Sequence, residues 1–297
     1  MIITATALQA LRVGFKTEFQ NALDGTPTMR DRVATVVRSS TSESTYGWLK
    51  KMSGMREWLG PRQLDGIAEA QYTIRNKHFE KTVEVNRNDI EDDNLGQYSM
   101  MFGELGDAAG AHPETLVWNL LKAGFSTECW DGQNFFDSDH PITDETGAAT
   151  TFSNTGGGSG TPWFLLCTNK SIKPILLQER KPITFTYKDR PDDDNVFFNN
   201  TYVYGADWRG NVGFGVPQMA YGSQQTLDAT SYAAARTAIQ NMKGDGGRPL
   251  GLMPNLLVVP PSLESAGRKL LNSEYAAGGE TNEWKGTAEL LVVPWLA

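Results

Sequence analysis

Two cysteines and three histidines among 297 residues leave little material for enzyme chemistry. Cys129 and Cys167 cannot make a disulfide framework, and such sparing use of thiols fits synthesis in a reducing cytoplasm. No CxxC, HxH or HExxH spacing places metal ligands together. No GxSxG elbow is present, and neither cysteine has a candidate base beside it. No apolar run approaches the roughly 20 residues of a membrane helix. The N-terminal stretch lacks the basic region and apolar core of a signal peptide. Positive charge is also short: the formal net charge is −8, which excludes a general nucleic-acid binder.

The remaining chemical candidates are weak. Cys129, Asp137, Asp139 and His140 are competent metal ligands close together in sequence, which makes a metal-dependent hydrolase the enzyme alternative. Their spacing fits an Asx-type turn better, and we expect no catalytic residue, no metal and no cofactor. Gly244-Asp245-Gly246-Gly247 follows a helical pattern and lacks the Lys-Ser/Thr ending of a phosphate loop, so it reads as a helix stop and turn.

With 39% hydrophobic and 21% charged residues, the chain is long enough for one large core or two smaller ones. Its charge is uneven. Residues 1–90 hold 13 Lys and Arg against 10 Asp and Glu, and the rest hold 14 against 25. A basic arm and loop docking on acidic bodies of neighbouring copies would use this asymmetry to set register.

Residues 72–94 read as a charged β-ribbon. Phe79, Lys81, Val83 and Val85 alternate with Glu80, Thr82, Glu84 and Asn86. Asn76-Lys77 is the expected turn. The apolar face is thin, and an isolated two-stranded ribbon is marginal in water, so a neighbouring copy is the expected cover. An acidic run, residues 89–93, and a capping Asn94 then precede an amphipathic helix. Tyr98, Met101, Phe102, Leu105, Ala109, Leu116, Leu120 and Leu121 mark its stripe, and His112-Pro113 predicts a kink or division.

Leu8, Leu11 and Phe15 predict a short N-terminal helix. Residues 24–45 are polar, with Val33, Val36 and Val37 as a lone apolar cluster, as in an arm that orders on a partner. Residues 149–162 are the clearest flexible stretch. Buried strands are expected at 163–167 and 174–178, further strands at 183–187 and 196–208, and β-rich chain to 223. After residue 224, a helix–strand–helix–strand pattern forms a compact α/β unit.

The segments SSTSESTYGWL (39–49), Glu57-Trp58, NKHFEKTVEVNRNDIEDDNLG (76–96), DGQNFFDSDHP (131–141), WFLLCTNKSIKPILLQERKP (163–182), GDGGRPLGLMPNLLVVP (244–260) and AELLVVPWL (288–296) carry a family likeness. In one register from end to end, the chain resembles the major head subunits of Mu-like phages and prophages. That resemblance implies an α+β, Hong Kong 97-type capsid fold. Its parts would be an N-terminal arm (1–45), an extended loop (46–93), a peripheral domain (94–223, spine helix about 95–125) and an axial domain (224–297).

The resemblance also implies a non-enzymatic subunit that assembles as hexamers and pentamers into an icosahedral head, made in the bacterial host cytoplasm and ending in the virion. It implies packaged double-stranded DNA held without sequence specificity and no membrane. A separate scaffolding protein, a maturation protease and a portal would be partners, and a decoration protein is left open. An encapsulin-like compartment shell is the alternative within the fold. Arg30, Arg32, Arg38, Arg75, Lys77, Phe79, Lys81 and Arg87 are the expected assembly-interface residues.

Overall fold

The computed structural model describes residues 4–47, 72–92, 96–276 and 278–297. Helix α1 (Ala5–Gly25) starts at Thr4, whose hydroxyl accepts the Ala7 N–H. Its Leu8, Phe15 and Phe19 are buried and Leu11 half-buried, so the expected short helix is real and longer than its first apolar stripe. It packs along α3 (Gly96–Ala123). Gly106 permits the approach, since a Cβ there would lie 2.3 Å from the Phe19 carbonyl oxygen. The expected Asn94 cap lies outside the described residues.

The helix is not divided at His112-Pro113. Pro113 sits inside one continuous helix of 28 residues. Proline removes one backbone hydrogen bond, but Gly110, Pro113, Glu114, Val117 and Trp118 are all buried around it, and that packing holds the helix through the gap. The buried stripe runs Tyr98, Phe102, Leu105, Trp118, Leu121, while Met101, Ala109, Leu116 and Leu120 are half-buried at its margins.

These helices cover a four-stranded sheet in the order β1 (Ala34–Arg38), β9 (Ile175–Lys188), β10 (Thr201–Phe214), β4 (Lys77–Asn86). β1 runs parallel to β9, and the other pairs are antiparallel. The polar arm is therefore partly a strand of its own chain, with Val33 and Ala34 in the core. Phe15, Phe19, Phe102, Phe185 and Tyr204 interlock beneath the two helices, with Phe15 and Phe102 stacked at 4.2 Å.

The ribbon expectation is corrected here. β3 (Thr73–Arg75) and β4 are not the two arms of a hairpin about Asn76. β4 pairs over ten residues with β10, from Lys77 opposite Gly210 to Asn86 opposite Thr201. β3 pairs instead with β2 (Glu43–Thr45). Asn76 is the changeover: its amide donates to Ser39 Oγ and the Thr41 carbonyl and accepts from Gln178 Nε2. Alternation in sequence identifies a strand but not its partner, and β10 supplies cover that local reading could not locate. The proposed loop base at 48–67 lies outside the described residues.

Short helix α2 (Arg87–Glu91), capped by Asn86, follows β4. The β9–β10 turn holds α4 (Asp194–Asn199), a helix where a strand from residue 196 was expected.

A second sheet has the order β13 (Glu289–Val292), β12 (Leu256–Val259), β8 (Trp163–Leu166), β11 (Ala220–Gln224), β7 (Thr155–Gly158). Strand period two divides its two faces. Trp163, Leu165, Leu257 and Val259 face α5 (Ala229–Gln240) and α6 (Glu264–Leu271), whereas Phe164, Leu166, Leu256 and Val258 pack with Val117, Trp118 and Leu121 of α3. Asp228 and Ser231 form a capping box at α5. The expected α/β unit after 224 is present, but three strands of its sheet come from before residue 224. The glycine-rich stretch is also corrected: residues 155–158 are the edge strand β7. Its glycines serve close approach, since a Cβ on Gly158 would meet the Gln224 carbonyl at 2.5 Å.

Candidate functional site

The one group of potential metal ligands among the described residues is Cys129, Asp131 and His140, whose ligand atoms lie within 4.8 Å of one another. A short hairpin, β5 (His140–Thr143) with β6 (Ala149–Phe152), presents His140, and the loop before it presents the other two. Asp131 makes an Asx turn by accepting the Gln133 N–H, and Gly132 takes φ +85° to let the chain reverse. Phe135 stacks on Phe214 of β10 at 4.2 Å and His140 on Phe152 of β6 at 4.8 Å, which fastens the loop to the end of the first sheet and to its own hairpin.

The cluster is closed on itself. Cys129 Sγ donates to Asp131 Oδ1 at 3.1 Å, and His140 Nδ1 lies 2.7 Å from Asp131 Oδ2. Asn154 Nδ2 donates to the carbonyls of Phe135 and Pro217, so its Oδ1 is the acceptor facing His140 Nε2 at 3.2 Å. That oxygen also accepts the Asp137 N–H. Burial pushes the Cys129 thiol up, and the Asp131 charge adds to this. Burial also pushes the Asp131 carboxyl up, but hydrogen bonds from His140 and Cys129 outweigh it and hold it below the usual carboxylate range.

A protonated thiol is neither a nucleophile nor a ready metal ligand. The arrangement ties the 129–141 loop to β6 and the strands beneath it. Of the four sequence candidates, the structure joins Cys129 and His140 but not Asp137 or Asp139. Asp137 spends its side chain on the Ser138 N–H. Asp131 was missed, although its two-residue spacing from Cys129 was a readable signal.

The assembly candidates fall into two groups. Arg30 has an internal partner: it reaches buried Glu114 with Nη1 at 3.2 Å and with its backbone N–H at 3.0 Å. A buried carboxylate of its own chain thus faces its charge. The others lie at the surface. Arg32 pairs with Glu289, Arg38 with Glu179, Arg75 with Glu43, Lys81 with Glu104 and Arg87 with Glu91. Arg38 and Arg75 remain more than 80% exposed, and pairs like these are worth about 0–1 kcal/mol each. Lys77 is exposed and makes no ion pair among the described residues. Phe79 stacks on Trp208 at 5.6 Å and on His112 at 4.2 Å.

The three side chains line a cavity of about 290 Å³ between β4, β10 and α3, with Ala108, Ala109 and Ile183. On its rim, burial pushes the Asp207 carboxyl up, but hydrogen bonds from Lys181, Thr184 and His78 outweigh it, bringing it down to about 2.

Comparison with known proteins gives the chain its place. The pattern of the family described as "Mu-like prophage major head subunit gpT" matches residues 8–296. The chain is 40% identical to the major capsid protein of Escherichia phage Mu over 305 aligned positions, covering all of both chains. It is 42% identical to the Mu-like prophage FluMu major head subunit of Haemophilus influenzae, covering 93% of this chain and 92% of that one. Among solved structures, the subunit of the bacteriophage JBD30 procapsid superposes with TM-score 0.87 at 44% identity, covering 99% of this chain and all of that one. The JBD30 capsid subunit superposes with TM-score 0.80 at 34% identity, with both chains fully covered. The α+β architecture is that of Hong Kong 97-type capsid subunits, and these relatives are structural, not catalytic. The chain belongs to the Mu-like prophage major head subunit gpT family.

Proposed function

We propose that this chain builds an icosahedral phage head from many copies of itself, as hexamers and pentamers around double-stranded DNA. The observation that carries the reading is the whole-chain likeness to a procapsid subunit at TM-score 0.87. It is assembled in the bacterial host and ends in the virion. Helix α3 is the spine, and the peripheral domain is α1, α3 and the four-stranded sheet. The axial domain is the five-stranded sheet with α5 and α6, so it takes β7, β8 and β11 from before residue 224. β2 and β3, adjacent and antiparallel with Thr45 opposite Thr73, are the base of the extended loop in this reading.

The surface residues Arg32, Arg38, Arg75, Lys77, Phe79, Lys81 and Arg87 form contacts between copies in this reading. DNA is held without sequence specificity, since net charge −8 leaves no general basic face. A scaffolding protein, a maturation protease and a portal complete the machinery. The JBD30 capsid has also been solved decorated with minor capsid protein trimers, and we extend such decoration to this shell. Electron microscopy of the chain expressed with its head-assembly proteins is the test. Closed shells of uniform size are expected, and a chain that stays monomeric under those conditions overturns the reading.

A further inference from the structure

The tip of the first sheet carries two phenyl rings with nothing to cover them. Phe197 and Phe198 of α4 are 76% and 74% exposed and pack edge-on to each other at 5.0 Å. The tip is built to hold them. Val196 is buried beneath it, and Asn195 Nδ2 donates to the carbonyls of Lys188 and Thr201. Asn200 closes the helix at φ +55° and donates to Asn88 Oδ1, while its carbonyl accepts the Arg87 N–H. Asp192 and Asp194 flank the rings, exposed and without an ion pair among the described residues.

The cavity at Phe79, His112 and Trp208 has the opposite character. Its volume of about 290 Å³ exceeds by nearly twofold the roughly 150 Å³ that holds one benzene in an apolar cavity. Aromatic rings and alanines line it, and burial lowers the His112 pKa. Its rim carries Lys81, Glu80 and Asp207; Lys81 pairs with Glu104 and Asp207 with Lys181, whereas Lys77, two residues before Phe79 on the same strand face, makes no ion pair among the described residues. Apolar rings flanked by aspartates therefore have a counterpart in a cavity lined by aromatic rings and alanines, beside which Lys77 stands without an ion pair among the described residues.

Within one chain the two cannot meet. Thr201 beside the tip and Trp208 in the cavity are seven residues apart along one strand, about 24 Å at the usual rise. We propose that Phe197 and Phe198 of one copy seat in the Phe79–His112–Trp208 cavity of a neighbouring copy, with Asp192 and Asp194 meeting Lys77. A contact between two different patches of identical chains is heterologous, the kind that closes rings or extends arrays. The inference rests on the shell reading and adds to it which surfaces join.

The test uses cysteine pairing in assembled particles. Native Cys129 and Cys167 are buried and stay out of the reaction. Chains carrying Phe198→Cys are mixed during assembly with chains carrying Ala108→Cys, and the particles are oxidised. A cross-linked dimer on a non-reducing gel is expected from the mixture and from neither variant alone, since a disulfide needs Cα atoms within about 7 Å. Particles with no cross-link overturn the contact and leave the shell reading standing. A dimer from Phe198→Cys alone also overturns it, by showing that tips meet tips.

Independently, the double variant Phe197→Ser, Phe198→Ser is expected to melt like the parent chain while its particle yield falls at least about tenfold, the factor that separates about 1.4 kcal/mol in an equilibrium. Parental yield overturns the proposal. Failure of the unsubstituted chain to form particles beside its assembly proteins overturns the shell reading and the contact with it.

Discussion

Arg30 and Glu114, 84 residues apart in sequence, meet inside the fold. Both the Arg30 backbone N–H and its guanidinium donate to the Glu114 carboxylate. The Met29 N–H at 3.0 Å and Trp118 Nε1 at 2.8 Å complete the set of donors around a side chain with no exposed surface. The carboxylate thereby fastens the turn before β1 to α3.

Removing one partner of such a buried pair costs about 3–5 kcal/mol, because the other is left charged and dry. Glu114→Ala is therefore expected to lower the melting temperature sharply. Glu114→Gln lowers it less, since it keeps the volume and one acceptor oxygen. Thermal unfolding followed by circular dichroism checks both, and an unchanged midpoint for Glu114→Ala refutes the role.

Helix α3 gives a graded series. Leu105 is 1% exposed, so Leu105→Asp buries an unpaired charge and is expected to cost several kcal/mol. Leu120 is only half-buried, and Leu120→Asp costs less because the carboxylate reaches water from the margin of the stripe. Glu104→Gln breaks only the 3.7 Å surface pair with Lys81 and stays within about 0.5 kcal/mol of the parent. Urea unfolding midpoints in any other order contradict the stripe.

His112 makes stability depend on pH in a stated direction. Burial lowers its folded pKa below the ordinary value of about 6.5. The unfolded chain takes up a proton as pH drops through that ordinary value while the folded chain resists. The contribution is thus present above about pH 6.5 and is lost progressively below it. Its Nε2 is also buried without a hydrogen-bond partner among the described residues. His112→Phe keeps a ring against Phe79 and Trp208 and is expected to flatten the fall in stability between about pH 7 and 5. Lys81 and Asp207 line the same cavity in both proteins, so the difference between the two profiles isolates the imidazole. Identical slopes contradict this.

The Cys129–Asp131–His140 cluster is expected to act as a structural tie. Asp131→Ala strands two buried donors and the Gln133 N–H, at about 1–3 kcal/mol for each group left unpaired. Zinc or a chelator is expected to leave the melting temperature of the parent chain unchanged. Stabilisation by zinc that disappears in Asp131→Ala identifies a metal site instead.

What could be read in advance follows the range of the interactions. The α3 stripe at Phe102, Leu105 and Leu121 and the strand at Leu256–Val259 depend on local periodicity, and they stand where the pattern put them. The hairpin about Asn76 failed because pairing of Lys77 with Gly210 spans more than a hundred residues and leaves no local mark. Pro113 misled in the same way, since the packing that carries the helix through it comes from distant residues such as Arg30 near Glu114. Asp131 escaped attention because Asp137 and Asp139 stand nearer to His140 in sequence, while the Asx turn folds Asp131 back onto it. Deleting residues 75–83 would therefore take out most of β4 along its pairing with β10, so that deletion is expected to unfold the four-stranded sheet and not merely to free a loop.

Surface charge separates folding from assembly. Arg38 and Arg75 are held in their own chain only by exposed pairs, at 3.6 and 3.2 Å, and Lys77 by none among the described residues. Reversing Arg38, Arg75 and Lys77 to Glu is therefore expected to leave the circular dichroism and melting temperature nearly unchanged. Arg30 is excluded from this set because its reversal would place two carboxylates together at Glu114. A shell repeats each contact many times, so pair terms of about 0–1 kcal/mol decide whether it closes. Salt provides the second arm, since the screening length shortens from about 10 Å at 0.1 M to about 3 Å at 1 M. Light scattering during assembly is expected to show a slower rate for the parent chain as salt rises, and little or no assembly for the triple variant at any salt concentration. A rate independent of salt, together with normal shells from the triple variant, would show that the copies are joined by apolar contacts such as Phe197 and Phe198 alone.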